Sequence, residues 1–152
     1  MTKGTVTLFV MMTLSACAST EPPAEYSVTN QQIFQNDYDA VWNAVVEAFA
    51  VNNIAIKTIE KSSGIIAAER LGFGDDGMAD CGKPGSFVTF IEPQSDFNVL
   101  VRSSTSGTAV MVNAKFSVYL VDNLDGNDTG RFECSSTGVF ERDFLLAVTD
   151  LL

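Results

Sequence analysis

The chain has 152 residues, 46% of them apolar, with eleven Phe, no His and a formal charge of −10. That length and composition suit one domain with a packed core and argue against disorder over most of the chain. The acidic balance repels phosphate backbones, so no nucleic acid is expected as a partner. Without histidine the usual general base, the usual Ser or Cys activator and the commonest zinc ligand are missing, so no enzyme is expected.

The chain begins with Lys3 and a mostly apolar run over residues 6–14. That run has the length of a secretory h-region and falls short of the ~20 residues that span a bilayer. It ends in Leu14-Ser15-Ala16-Cys17, which resembles the lipobox of bacterial lipoproteins. The resemblance implies a signal peptide over residues 1–16, a diacylglyceryl thioether on Cys17, cleavage before it and acylation of the new amino terminus. Several acyl chains would then hold the protein on a membrane, where one alone is marginal. Ala16-Cys17-Ala18 also fits an A-x-A site, which would release a soluble secreted protein. Cysteine arithmetic does not separate the two, because both leave Cys81 and Cys134 as an even pair.

Residues 17–30 read as the lipidated cysteine and a flexible polar tether. Pro22-Pro23 favours an extended conformation, giving a reach of roughly 40 Å at ~3.3 Å per residue. Residues 31–152 form the domain. Ile33 and Phe34 are extended, and Asp37 caps a helix in which Tyr38, Val41, Trp42, Val45, Ala48 and Phe49 make one apolar stripe. Asn52-Asn53 ends it. Residues 54–59 and 65–69, joined through Gly64, read as a β-hairpin.

Residues 71–85 are glycine-rich and acidic, with Asp75, Asp76 and Asp80. They lack the Lys-Ser/Thr of a phosphate cradle and the spacing of a calcium loop, so no metal or cofactor is expected there. The second half reads as a β-meander: residues 87–91 and 97–102 as two strands, a turn at 103–107, a long run over 108–121, a polar loop at 122–130, and a short strand at 131–134. Ser135 to Gly138 offer caps for a closing helix striped by Phe140, Phe144, Ala147, Val148 and Leu151.

Cys81 and Cys134 are expected to pair in an oxidising compartment, closing a loop worth roughly 4 kcal/mol. They lack the C-x-x-C spacing of a redox pair. The stretch from Tyr38 to Phe49, with Ile54-Ala55-Ile56 and Lys61-Ser62-Ser63-Gly64-Ile65-Ile66, resembles the opening of BamC-like domains, found in a lipoprotein of the outer-membrane barrel-assembly machinery and in many small proteobacterial lipoproteins. It covers residues 31–69. The resemblance implies a single α+β domain in β-α-β-β-…-α order: an antiparallel sheet with two helices packed on one face.

Ala18 stands where an aspartate would signal inner-membrane retention in enterobacterial systems. The expected location is therefore the outer membrane, lipid-anchored through Cys17 and facing the periplasm. The expected function is a non-catalytic binding or scaffold module in envelope assembly, with another envelope protein as partner. A carrier holding a small amphiphile between the sheet and Trp42's helix is the alternative, and a carboxylate-based hydrolase using Asp75, Asp76 or Asp80 is a third.

Overall fold

The computed structural model describes residues 20–74 and 76–152. Residues 1–16, expected to be a signal peptide, together with Cys17, residues 18–19 and Asp75, lie outside the described residues. In chain order the elements are β1 (Gln31–Phe34), α1 (Tyr38–Val51), β2 (Ala55–Glu60), β3 (Ile65–Leu71), β4 (Ala79–Asp80), β5 (Val88–Ser104), β6 (Gly107–Asp122), β7 (Asp128–Ser136) and α2 (Val139–Asp150). The sheet runs β2-β3-β5-β6-β7-β4 with every neighbouring pair antiparallel. β5 occupies one edge of β6; β1 and β7 share the other, pairing with residues 108–111 and 116–121 respectively. This is the expected α+β architecture.

α1 forms for the reasons its sequence suggests. Asp37 Oδ1 accepts a hydrogen bond from Ala40 N at 3.0 Å, satisfying an amide that a helix start leaves unpaired. At the other end Asn52 Nδ2 donates to Ala48 O at 2.8 Å, and Asn53 takes a left-handed φ of 53°. The stripe between them buries Val41, Trp42, Val45, Ala48 and Phe49. Beneath it lies a row that crosses three strands, Ile66 opposite Val99 and Val99 opposite Val112, each without exposed surface. α2 closes the same face, with Phe49 and Phe144 in ring contact at 4.7 Å. Burying a side chain of this size stabilises by ~1.5–3 kcal/mol, so this layer dominates the fold.

Among the described residues no helix covers the opposite face of the sheet, which is mostly polar. Ala67, Asn98 and Asn113 lie in one row and Glu69, Asp96 and Lys115 in the next. Lys57 is ion-paired with Glu69, and Arg131 with Asp96 at 3.3 Å. β2 is the outermost strand on its side, and its register slips between Ile56 and Thr58, leaving Lys57 in a bulge.

Three features depart from the sequence reading. Of the expected strands 87–91 and 97–102, residues 88–91 and 97–102 are not two strands but parts of one, β5, and Phe87 lies just before it. Pro93 sits in a bulge beside Glu92 (φ 49°), where the register slips between Ile91 and Gln94. A proline needs no ladder hydrogen bond there. Of the four cap candidates before α2, Ser135 and Ser136 belong to β7, and it is Gly138 (φ 84°) that holds the N-cap, without a side-chain bond. Ser136 Oγ instead accepts from Gly138 N at 3.1 Å and lies 2.8 and 2.9 Å from the carboxylate oxygens of Glu141, which is 2% exposed. Finally, the flexible tether expected over 17–30 is held at three points of its described part, the backbone of Glu21, Ala24 and Asn30. Glu21 bridges to Lys83, and Asn30 O accepts from Val112 N at 2.8 Å.

Candidate functional site

Beyond the bulge at Glu92-Pro93 the sheet continues past the cover of its helices. Phe90 and Phe132 stack there, centroids 5.6 Å apart, with Val118 between their strands. Residues 72–74 and 76–82 arch over this part of the sheet. Gly72 N donates to Pro93 O at 2.9 Å, and Thr137 N donates to Met78 O at 3.1 Å. Phe73 packs edge-on against Phe116 at 5.2 Å, and Phe116 leads through Phe97 to Phe140. A chain of rings therefore ties the arch to the helix-covered core. Between arch and sheet is an open groove of about 890 Å³, with Phe73, Phe90, Pro93 and Val118 as its apolar part and Tyr26, Asp80 and Thr137 as its polar part.

The arch is fixed in three ways. β4 pairs with β7 through Ala79–Ser136 and Asp80–Ser135. The next residue, Cys81, is disulfide-bonded to Cys134, as the cysteine pairing predicts. Asp80 supplies the third hold. Its Oδ1 accepts from Gly82 N at 2.7 Å, and its Oδ2 accepts from Ala24 N and from Tyr26 OH, both at 3.0 Å. These hydrogen bonds, led by those from Gly82 and Ala24, hold its carboxyl below the usual carboxylate range. The same contact raises the Tyr26 phenol, because donating to a carboxylate favours its protonated form.

Of the acidic residues considered for catalysis, Asp80 is thus committed to holding backbone. Asp76 is exposed, with Oδ1 accepting from Met78 N at 3.3 Å, and Asp75 lies outside the described residues. Among the described residues no group of three or more Cys, Asp or Glu is placed to hold a metal ion. No described helix is long and apolar enough to cross a membrane. Sequence reasoning did not single out Tyr26, Phe73 or Phe90 for this site. The one local signal was Pro93 inside a β-rich run, which marks a bulge as readily as a break. No protein-family model matches the chain, and no curated protein matches it significantly.

Proposed function

We infer that this protein is a lipid-anchored, periplasm-facing module of the bacterial outer membrane, which binds another envelope protein and performs no catalysis. The groove beneath segment 72–82 carries the reading: it is open rather than enclosed, and it offers rings and a proline beside hydrogen-bonding groups. Such a mixture suits an extended protein segment, whose side chains need apolar contact and whose backbone needs partners. The Leu14-Ser15-Ala16-Cys17 sequence supplies the address, and the BamC-like order of the first elements fits an envelope-assembly setting. The space between Trp42's helix and the sheet is filled, with Trp42 4% exposed and Val41 and Val45 wholly buried. That weighs against a carrier with its ligand at that position.

The test is photo-crosslinking from Phe90 in envelope membranes, with palmitate labelling of the wild type and of Cys17→Ser. Labelling that depends on Cys17, with one protein captured reproducibly from Phe90, supports the reading. Labelling without any specific capture sinks the binding module, and absence of labelling sinks the anchor.

A further inference from the structure

We propose that residues 21–26 are a clamped tether, which holds the end of the sheet bearing Phe87 and Leu124 against the bilayer surface. The proposal rests on acylation of Cys17 and deepens that reading by naming the face the domain turns to lipid.

The clamp is built from four consecutive residues. Glu21 N donates to Lys83 O at 3.0 Å, Lys83 N donates back to Glu21 O at 3.1 Å, and their side chains form an ion pair at 2.9 Å. Three residues on from Glu21, Ala24 N is held by Asp80, which also holds Tyr26. Gly82, at φ 69°, leaves no room for a side chain: a Cβ there would strike the carbonyl oxygen of Glu21. Cys81 staples this receiving segment to β7. A spacer that only gives reach has no need of a glycine reserved for its passage.

Direction follows from the register. Asp80 lies opposite Ser135, and Cys81 is bonded to Cys134, which lies opposite Phe116. From Asp80 the chain reaches β5 at Val88, opposite Asp122, so Lys83 lies on the way to that end of the sheet. Glu21 faces Lys83, whereas Ala24 and Tyr26 face Asp80. The segment thus runs away from the β6–β7 loop, and its upstream end points toward that loop. Cys17 is four residues upstream of Glu21, so it lies within ~14 Å of it. A bilayer that holds Cys17 is consequently drawn to this end and not to the β5–β6 turn, which the 17 residues of β5 place at the other extreme.

This end is furnished for an uncharged interface. Phe87 is 53% exposed and Leu124 77% exposed, and their loops are joined by Asn123 N donating to Phe87 O at 2.8 Å. Asp122, Asp125 and Asp128 surround them in sequence and repel anionic headgroups, so the surface in contact is zwitterionic lipid. The acyl chains supply the hold, and the two apolar side chains rest at the headgroup boundary.

The experiment uses the acylated protein in zwitterionic phosphatidylcholine–phosphatidylethanolamine vesicles whose acyl chains are brominated, with Phe87→Trp or Thr105→Trp as reporter. A ring resting at the acyl boundary meets the bromines, so Phe87→Trp should be quenched and Thr105→Trp should not. Adding Glu21→Pro, which removes the donor to Lys83 O and the ion pair with Lys83 while Asp80 still holds Ala24 and Tyr26, should reduce the quenching while the protein still floats with the vesicles. A Gly-Ser insert of about eight residues before Glu21, adding roughly 16 Å of reach, should weaken it with the clamp intact. Equal quenching at both positions, or quenching indifferent to Glu21→Pro and to the insert, overturns the clamp while leaving the anchor standing. An absence of acylated, vesicle-bound protein overturns both.

Discussion

Where α1 and α2 cover the sheet, Ile66, Val99 and Val112 form a wholly buried row, and the packing of apolar side chains decides the geometry. Where segment 72–82 covers it, Phe90 and Phe132 stack in an open groove, and the geometry is decided by a disulfide, a carboxylate and a few backbone hydrogen bonds. The first region is stable because water is excluded. The second region is shaped while water is still present, which is what a binding surface requires. A small domain with one core layer can extend its sheet past that layer only by bracing the extension covalently and through hydrogen bonds.

Substitutions in the two regions should therefore differ in size and in reach. The largest effect is expected for Phe49→Ala, which opens a cavity at the meeting of the helices and should cost up to about 5 kcal/mol in denaturant unfolding, with both regions lost together. Replacing Cys81 and Cys134 with alanine should cost up to about 4 kcal/mol. Its signature is regional: amide exchange should accelerate first at Ala79, Asp80 and Gly82, while Val99 and Val112 stay protected. Uniform acceleration would erase the distinction between the two regions. Phe90→Ala, in a half-exposed stack, should cost about 1–2 kcal/mol and weaken partner capture far more than it weakens folding.

Asp80 gives the comparison a pH dependence. Its folded carboxyl lies below the ordinary value of 3.8, so its contribution is present above that value and is lost as pH falls through the lower, folded one. Wild type and Asp80→Asn should therefore differ in Ala24 and Gly82 exchange by a constant factor from about pH 5 to 8, and the two should converge in acid. A difference that grows between pH 5 and 8 would show that another group governs the arch. The smallest effect is expected at Lys57→Ala. It removes an exposed ion pair with Glu69 and should change stability by less than about 1 kcal/mol.

What could be read from the sequence was what local chemistry decides. Asp37, the stripe from Tyr38 to Phe49, and Asn52-Asn53 set α1 by contacts within a few residues, and Gly64 marks a turn that only glycine can occupy. There φ is 72° and a Cβ would strike the Val101 carbonyl oxygen. The departures came where a distant partner decides. Ser135 and Ser136 are good helix caps in isolation, but β4 pairs with them and takes them into strand. Glu92-Pro93 looks like a break until β6 pairs on both sides of it. Residues 21–30 look like a free tether because their polar, proline-containing composition says nothing of Asp80, Gly82 and Lys83, some sixty positions later. The groove was illegible for the same reason: Tyr26, Phe73, Phe90 and Val118 come from four separate stretches of chain.

The bulge at Lys57 matters more to neighbouring copies than to the fold. The anchor proposed above would bring copies together in a plane, where exposed strand edges collide in favourable orientation far more often than in free solution. β2 presents such an edge, but its slipped register and a cationic side chain interrupt the row of amides and carbonyls that another strand would need. Crowded copies are thus kept from zipping into a continuous sheet.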